Sequence, residues 1–308
     1  MLARVLAEGT LAPGAAVVVL VSGGRDSVCL LDLAVRAGGP DSVTALHVNY
    51  GLREGADGDE RHVAELCRAR AVELVVERPV RPEGPGNLQA WARDVRYAAA
   101  ARLALDGEAT IVAGHTADDQ VETILYRLAS SPSRRALLGM RQREGRLVRP
   151  LLGFGRAETT AYCEERGLAW REDPSNGEPA YARNRVRNGL LPELAKIHPA
   201  AAANVLRTAE LLRDEAEVLD SLVEVEIATA PGSPRGTIAL ARLAELHPAL
   251  RRLILQRLAD GAAGRPVPGA ARYAEQVAGL RRTGTAMLDL GGGVRAIVEA
   301  GVLRAEQQ

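Results

Sequence analysis

The sequence predicts an α/β protein of two domains, in which a parallel-sheet domain is followed by a long linking helix and a smaller α+β domain. The length of 308 residues exceeds what one ordinary hydrophobic core organises. Apolar runs of strand length alternate with helical patterns through the first half, which is typical of βαβ crossovers. The content of 47% hydrophobic and 25% charged residues favours a folded chain over a disordered one.

The first domain is predicted to contain four strands and four helices in alternation. The strands are predicted at residues 16–21, 43–49, 73–76 and 110–113. The helices are predicted at residues 26–36, 59–70, 88–105 and 118–128, the third with Asn87 as a plausible N-cap. Ligands of such sheets bind at the carboxyl ends of the strands.

The domain boundary is predicted near residue 205, which gives domains 1–205 and 206–308. A helix over 200–228, rich in Ala, Leu and Glu, is broken by the proline- and glycine-bearing segment 231–236. The rest of the second domain is predicted to contain helices at 240–246, 249–259 and 270–281, then strands at 286–290, 294–298 and 302–304.

Several protein classes are disfavoured by the composition. No apolar run approaches the length of a membrane span. The first eight residues predict a short helix rather than a signal peptide, since no cleavage site follows. The scattered Cys29, Cys67 and Cys163 form no C-x-x-C pair, which argues against a zinc ribbon, an iron–sulfur site or a disulfide framework. We therefore expect a cytoplasmic protein with no membrane partner.

Charge is unevenly distributed although the formal net charge is zero. One basic stretch contains Arg134, Arg135, Arg141, Arg143, Arg146 and Arg149 against Glu144 alone. A second contains Arg183, Arg185, Arg187 and Lys196, whereas residues 210–226 are strongly acidic. Local cation density suits a phosphate backbone, and on charge alone a solvated surface explains it equally well.

A phosphate-binding turn is predicted directly after the first strand. It consists of Ser22, Gly23, Gly24, Arg25, Asp26 and Ser27. Glycines let backbone N–H groups approach oxygens, and the following helix adds unpaired donors at its N-terminus. Asp26 is a candidate either for a magnesium ligand or for the N-cap. The turn is not a Walker loop, because its only candidate lysine, Lys196, lies far downstream.

A second polar cluster is predicted where the fourth strand gives way to a helix. Gly114 and His115 leave the strand, Asp118 and Asp119 begin the helix, and Glu122 lies one turn beyond Asp118. Acidic residues at a helix N-terminus can be simple caps. Together with a phosphate loop at a neighbouring strand end, they favour magnesium binding and proton acceptance.

Three further segments are candidates for ligand contact. His47 and Asn49 close the second strand, where a histidine is structural or functional with similar frequency. Arg93 and Tyr97 lie one turn apart on a predicted helix, which fits packing as well as RNA contact. The segment 173–187 is turn-like and then basic, and its Arg and Asn side chains suit phosphates and base edges.

Taken in order, these motifs resemble those of the bacterial tRNA(Ile)-lysidine synthases. The motifs are S-G-G-R-D-S, H-V-N-Y-G-L-R, G-H-T-A-D-D-Q-V-E-T, R-P-L-L (149–152), D-P-S-N (173–176) and R-N-R-V-R (183–187). The resemblance is close over residues 15–195 and looser beyond. It implies a Rossmann-like PP-loop ATP pyrophosphatase domain, ATP as co-substrate and Mg²⁺ as cofactor.

The resemblance also implies a reaction on the wobble cytidine of a tRNA(Ile) with a CAU anticodon. ATP adenylylates the C2 carbonyl oxygen with release of pyrophosphate, and the side-chain amine of free lysine then displaces AMP. The product pairs with A instead of G and is charged with isoleucine. A homodimer is a possible assembly.

Residue roles follow from the same resemblance. ATP binding is implied for Ser22, Gly23, Gly24, Arg25, Asp26, Ser27, His47, Asn49, Gly114 and His115. Magnesium binding is implied for Asp26 and Asp119, and lysine recognition or deprotonation for Asp118 and Glu122, which makes these four carboxylates the catalytic set. Contact with tRNA or lysine is implied for Arg93, Arg134, Arg135, Arg183, Asn184 and Arg187.

The chain departs from the family pattern in three places. Tyr50 stands where many members have a second histidine. The segment 129–140 keeps the closing L-x-G-M but has Ser and Arg in place of glycines, so arginines are expected to contact RNA there. The sequence ends after one appended domain, whereas some members have another, and we expect the acceptor stem to be positioned differently.

Three other functions fit part of the pattern. A PP-loop tRNA thiolase also adenylylates a base, but the scattered cysteines argue against sulfur transfer. An amidotransferase-type synthetase would leave the arginine-rich loops without a role. A non-catalytic ATP sensor would explain the loop at Ser22 but not the acids at 118–122.

Overall fold

The structure is a computed structural model that describes residues 1–52, 55–81, 87–106, 108–131, 134–172, 182–228 and 236–308. It divides into two compact units, Met1–Glu210 and Leu211–Gln308. Among the described residues, no helix has both the length and the apolar character that a membrane span requires.

The first unit is built on a six-stranded sheet with the order β3-β2-β1-β4-β6-β5. The strands are β1 (Val17–Leu20), β2 (Val43–Val48), β3 (Glu73–Glu77), β4 (Thr110–Val112), β5 (Arg143–Glu144) and β6 (Leu147–Val148). All neighbours pair in parallel except β5, which is antiparallel to β6. The four predicted strands and the predicted parallel sheet are confirmed, whereas the two-residue strands β5 and β6 are too short to give a sequence pattern.

Helices and short helical turns precede, connect and follow these strands. They are α1 (Leu2–Ala7), α2 (Arg25–Gly38), a 3₁₀ turn (Pro40–Ser42), α3 (Ala56–Arg68), α4 (Leu88–Asp106), α5 (Ala117–Ser130), α6 (Arg134–Leu137), α7 (Arg156–Glu165), α8 (Ala182–Arg185), a π-helical turn (Val186–Leu190), α9 (Leu191–Ile197) and α10 (Ala201–Ala228). Asn87 caps α4, since its Oδ1 accepts the backbone N–H groups of Gln89 and Ala90.

The central strand β1 explains why helices cover both faces of the sheet. All four of its residues are buried. Val17 and Val19 belong to the core that contains Leu30 of α2, and Val18 and Leu20 to the core that contains Ala100 of α4. Because side chains alternate along a strand, this division places α2 and α4 on opposite faces.

The second unit contains a four-stranded antiparallel sheet with the order β7-β10-β9-β8. Its elements are β7 (Thr237–Ala239), α11 (Leu240–Glu245), α12 (Pro248–Ala263), a 3₁₀ turn (Ala270–Tyr273), α13 (Ala274–Ala278), β8 (Thr285–Gly291), β9 (Val294–Glu299) and β10 (Val302–Gln307). The helix predicted over 270–281 is wrong in type and extent. It begins as a 3₁₀ turn, and its α-helical part ends at Ala278 because Gly279 forms the C-cap.

Side-chain hydrogen bonds hold helix α5 against the turn that follows α6. The side chain of Gln120, which is 2% exposed, accepts the backbone N–H of Met140 at 2.6 Å and donates to its carbonyl at 2.8 Å. Arg127 donates to the carbonyl of Gly139 at 2.8 Å. Gly139 has a φ of +66°, and a Cβ there would lie 2.6 Å from Oε1 of Gln120. Two features of the structure therefore require glycine at this position of L-x-G-M. The backbone has a positive φ, and a side chain there would collide with Gln120.

We expect Gly139→Ala to destabilise the first unit by more than the backbone strain alone. Gly145 has a similar φ of +59°, and a Cβ added there would meet no atom within 4 Å, so Gly145→Ala is the matched control. The control should cost about 1–2 kcal/mol of unfolding free energy. Gly139→Ala should cost about 1–3 kcal/mol more, because the hydrogen bonds of Gln120 are broken. Urea unfolding checks this, and equal costs for the two variants would contradict it.

Candidate active site

A cleft of about 1190 Å³ lies at the carboxyl edge of the parallel sheet in the first unit. Its lining includes the predicted polar groups that follow three strands. These are Ser22 after β1, His47 and Asn49 at the end of β2, and Gly114 and His115 after β4. The predicted convergence of the strand ends is therefore observed. Asp26, Asp119 and Arg187 line the same cleft, whereas Asp118, Glu122, Arg93, Arg183 and Asn184 are not part of its lining.

The turn after β1 is organised by its own hydroxyl groups. Ser27 Oγ donates to the carbonyl of Gly24 at 2.8 Å and accepts the backbone N–H of Ser22 at 3.2 Å. Gly23 has a φ of +86°, which favours glycine. Gly24 is the N-cap of α2, so the expectation of Asp26 as N-cap is wrong. Asp26 lies one residue inside the helix, which leaves its carboxylate available for other partners.

Gly114, two residues after the end of β4, allows the chain to pack against the backbone of the first turn of α2. A Cβ at this position would lie 3.0 Å from the carbonyl oxygen of Asp26 and 3.3 Å from the backbone nitrogen of Ser27. Both neighbours are backbone atoms in the first turn of a helix, so they cannot give way as a flexible side chain would. Gly114 thus sets the distance between the phosphate loop and the second polar cluster.

Helix α5 begins one residue earlier than predicted, at Ala117, with Thr116 as its N-cap. Asp119 Oδ2 accepts the backbone N–H of Thr116 at 2.9 Å, and Thr116 Oγ1 accepts that of Asp119 at 3.5 Å. This reciprocal pair is a capping box. Asp119 therefore stabilises the helix with one oxygen and turns Oδ1 toward Arg187, at 3.5 Å.

Glu122 is a buried carboxylate held by two guanidinium groups. It is 2% exposed and accepts hydrogen bonds from Nε and Nη2 of Arg187 at 2.5 and 3.0 Å. Nη2 of Arg156 lies 3.5 Å away. Burial by itself lowers the pKa of Arg187, but the hydrogen bond and charge of Glu122, with Asp119, raise it overall. The buried negative charge is therefore neutralised by fixed positive charges.

Asp118 makes a different contact from its neighbour. Its Oδ2 accepts the backbone N–H of Arg156, the first residue of α7, at 2.6 Å. Helix α7 was not predicted, because its sequence is rich in Thr and Glu and has a weak apolar period. Arg156 and Thr159 of this helix are thus site residues that sequence reasoning missed. The signal in the sequence is Gly155 followed by Arg156, just after R-P-L-L.

The two histidines of the cleft differ in their bonding. His47 is buried, and its Nδ1 donates to the carbonyl of Val21 at 2.8 Å, which leaves Nε2 as the acceptor of the neutral ring. His115 is half-buried as a residue, yet its Nδ1 is shielded from solvent and has no hydrogen-bond partner among the described residues. Burial, followed by the charges of Arg149 and Arg96, lowers the pKa of His115 to about 3.

The remaining predicted contact residues have different environments. Asn49 is buried and donates to Asp57 at 3.0 Å and Glu60 at 2.9 Å. Arg93 is exposed on α4, with its guanidinium 4.9 Å from the ring centroid of Tyr97. Arg183 is exposed and Asn184 is buried, both on α8. Outside the described parts of the chain lie the side chains of Arg134 and Arg135, together with Arg53 and residues 173–176.

Arg149 is buried, so neither of the two interpretations left open for its basic stretch, a phosphate contact or a solvated surface, describes this residue. It is 2% exposed, and it donates to the carbonyl of Arg141 at 2.6 Å and to Glu144 at 3.2 Å. A guanidinium in this position supports the turn between β5 and β6. Its charge acts on the cleft at a distance, through the pKa of His115.

The carboxylates of the cleft fit a magnesium ion bound together with a nucleotide. Among the described residues, no group of three or more His, Cys, Asp or Glu side chains is suited to hold a metal alone. Magnesium commonly takes only one or two carboxylates and completes its shell with phosphates and water. Asp26 and Asp119 both line the cleft, which meets that requirement.

Comparison with known proteins identifies the family. Residues 2–194 match the model of the PP-loop domain. The tRNA(Ile)-lysidine synthase of Leifsonia xyli is 41% identical over 260 residues, which cover 80% of this chain and 76% of that protein. The chain belongs to the tRNA(Ile)-lysidine synthase family of PP-loop proteins. The family synthase from Thermus thermophilus is 39% identical over 261 residues, covering 83% of this chain and 51% of that protein.

The family assignment concerns the part of the chain that is matched. This chain spans about half the length of several curated relatives that it matches. A solved structure of a U34-tRNA thiolase, NcsA of Methanococcus maripaludis with its 4Fe–4S cluster, superimposes with a TM-score of 0.57 at 18% identity. It covers 69% of this chain and 77% of the thiolase, and it shows the shared fold.

We expect His115 to make the stability of the protein depend on pH. Its pKa is about 3 in the folded chain against 6.5 as the ordinary value, so the unfolded chain binds the proton first as pH falls. This contribution to stability is present above pH 6.5 and is lost progressively as the pH falls toward 3. Its slope approaches about 1.4 kcal/mol per pH unit.

Urea unfolding of the wild type and of His115→Gln between about pH 7 and pH 5 measures this contribution. The curve of the variant should be flatter than that of the wild type. Equal slopes of the two curves of unfolding free energy against pH would contradict the lowered pKa of His115.

We expect Gly114→Ala to weaken ATP binding, because the added Cβ displaces the first turn of α2. Overpacking of this kind costs about 1–3 kcal/mol. Gly155→Ala is the control, since a Cβ there would meet only ordinary contacts, at 3.6 Å or more. Calorimetric titration with ATP checks the difference, and equal affinities for the two variants would refute the role of Gly114.

Proposed function

We propose that this protein is a tRNA(Ile)-lysidine synthase, which ligates free lysine to C2 of the wobble cytidine of a CAU anticodon at the expense of ATP. Membership of the family supports the assignment. The observation that carries it is the cleft that combines a phosphate loop with the carboxylate of Asp119, and with Arg156 and Arg187, whose guanidinium groups contact the buried carboxylate of Glu122. ATP use requires the first feature, and an incoming ammonium group requires the second.

In the first step, the cytidine C2 carbonyl oxygen attacks the α-phosphate of ATP, and pyrophosphate leaves. The turn Ser22–Ser27 receives the phosphates with backbone N–H groups at the N-terminus of α2. Asp26 and Asp119 would hold Mg²⁺, which supplies positive charge for the departing pyrophosphate. His115 is neutral at physiological pH because its pKa is low, so it serves as a hydrogen-bonding group rather than as a cation.

In the second step, the side-chain amine of lysine attacks the activated carbon and AMP leaves. The ammonium form of lysine is received by Asp118 and Glu122, and at Glu122 it takes the place of the guanidinium of Arg187. A carboxylate then accepts the proton that the amine must lose before it attacks. Arg187, once released from Glu122, is free to pair with phosphate on the RNA side.

Other partners of the reaction follow from the same proposal. The exposed Arg93 and Arg183, with Arg134 and Arg135, provide cations for the anticodon arm. The second unit, on this proposal, binds tRNA. We further propose a cytoplasmic enzyme, without a membrane partner, and a homodimer as the assembly to be tested by light scattering.

The thiolase alternative is disfavoured by the state of the cysteines. Cys29, Cys67 and Cys163 are buried and free, and each lies in a helix. Burial raises the pKa of Cys67 to about 11, which disfavours a reactive thiolate at that residue. Sulfur transfer requires an exposed thiolate or a cluster.

The proposal is tested by incorporation of labelled lysine into a tRNA(Ile) transcript with a CAU anticodon, in the presence of ATP and Mg²⁺. An elongator methionine tRNA is the control. Label in the isoleucine transcript alone, with release of AMP and pyrophosphate, is the expected result. ATP-dependent adenylylation without lysine incorporation would refute lysidine formation and retain PP-loop chemistry. No ATP turnover under any condition would favour a sensor.

We expect Glu122→Gln to raise the KM for lysine by roughly 10- to 100-fold, because a charge-assisted hydrogen bond to the ammonium is lost. Pyrophosphate release in the absence of lysine should change less. Glu158→Gln is the matched control, since Glu158 is exposed and its carboxylate accepts the backbone N–H of Gly155 at 2.7 Å. A normal KM for lysine in Glu122→Gln would remove this residue from the lysine site.

A further inference from the structure

Helix α7 brings a buried hydroxyl group against the phosphate loop. Thr159 is fully buried, and its Oγ1 lies 2.6 Å from Oδ1 of Asp26, across 133 positions of sequence, and 3.0 Å from the carbonyl oxygen of Arg156. The hydroxyl has one proton, and it donates to the nearer, charged acceptor, Asp26. The same oxygen accepts from Nε of Arg25 at 3.2 Å. Thr159 therefore contacts both members of the Arg25–Asp26 ion pair, whose closest approach is 3.1 Å.

The position of Thr159 is fixed by the way in which α7 is anchored. Asp118 accepts the backbone N–H of Arg156, and Phe154 accepts the backbone N–H of Ala117 at 2.8 Å. Farther along the helix, Cys163 is buried and its Sγ approaches the carbonyl of Arg25 at 3.7 Å. Contacts at both ends of α7 thus hold the hydroxyl of Thr159 at one distance from Asp26.

We infer that Thr159 is a positioning residue, which orients the carboxylate of Asp26 for the magnesium ion that accompanies ATP. This inference rests on the proposed function, in which Asp26 is a magnesium ligand. A hydroxyl bonded to Oδ1 fixes the carboxylate plane, while Oδ2 has only the longer contact to Arg25, at 3.3 Å. Oδ2 thereby keeps lone pairs for a cation.

Removal of the hydroxyl changes the competition for Asp26. Without Thr159, the carboxylate is held by Arg25 alone among the described contacts. A guanidinium that pairs freely with both oxygens competes with a metal for the same lone pairs. Loss of an outer-shell hydrogen bond of this kind typically weakens metal binding by roughly 10- to 100-fold.

The chain offers closely matched variants for the test. Thr159→Val keeps the shape and removes the donor, whereas Thr159→Ser keeps the donor. Thr160 is the next residue on the same helix, and its Oγ1 donates to the carbonyl of Arg156 at 2.8 Å rather than to Asp26. Thr160→Val therefore controls for the general effect of losing a helical hydroxyl.

The measurement is equilibrium binding of Mn²⁺, detected by electron paramagnetic resonance, to the full chain with a non-hydrolysable ATP analogue. Thr159→Val should raise the dissociation constant for Mn²⁺ by roughly 10- to 100-fold. Thr159→Ser and Thr160→Val should stay close to the wild type. In turnover, Thr159→Val should shift the Mg²⁺ dependence of pyrophosphate release and leave the KM for lysine unchanged, a separation that general unfolding does not produce.

Two outcomes would overturn the inference. One is wild-type Mn²⁺ affinity in Thr159→Val, and the other is an equal loss in Thr160→Val. The binding measurement needs neither tRNA nor lysine, so it stands even where lysine incorporation fails. Conversely, a wild type that forms lysidine but binds no Mn²⁺ with the analogue would remove the metal role of Asp26, and with it that of Thr159.

Discussion

The neutralisation of one buried carboxylate organises the first unit of this protein. Glu122 is almost fully removed from water, and a carboxylate in that position is costly unless it is paired and hydrogen-bonded. Its partners are Arg156, at the start of α7, and Arg187, 65 residues after Glu122 in the chain. The pairing of Glu122 therefore fixes the position of two segments that follow β6, the last strand of the parallel sheet.

The parallel sheet brings these charged side chains to the same edge as the loop after β1. The helices α2, α5 and α7 begin near one another, as the contacts Gly114–Asp26, Ala117–Phe154 and Asp118–Arg156 show. Each helix N-terminus presents unpaired N–H groups and a partial positive charge. The acidic residues in their first turns, Asp26, Asp118, Asp119 and Glu158, offset that charge.

Much of this arrangement was predictable from the sequence, and for identifiable reasons. The strand β1 is a continuous apolar run because both of its faces are buried, and the polar groups after β1, β2 and β4 must meet at one sheet edge. The acids at 118–122 were recognised from their helical spacing. Local patterns of this kind report on what lies within one or two turns of a residue.

What escaped prediction depends on contacts between distant segments. The apolar period of α7 is too weak to reveal the helix in the sequence. Hydrogen bonds of the Thr159 hydroxyl and of the Arg156 backbone hold the helix at the site, and neither bond leaves a pattern in the sequence. Arg149 is indistinguishable in sequence from its exposed neighbours, yet it is buried against backbone carbonyls. Asp26 is not the N-cap, because Gly24 occupies that position and α2 begins at Arg25. No sequence spacing reveals which arginine a fold will bury.

The order in which these charges appear along the chain has a consequence for synthesis on the ribosome. Asp26, Asp119 and Glu122 emerge well before Arg156 and Arg187, which supply the positive charge. A nascent chain that ends before residue 187 contains the strands and the phosphate loop but lacks the main partner of Glu122. Burial of this carboxylate is unfavourable until that point. The pairing of Glu122 with Arg187 is therefore completed only after the π-helical turn that contains Arg187 has been synthesised.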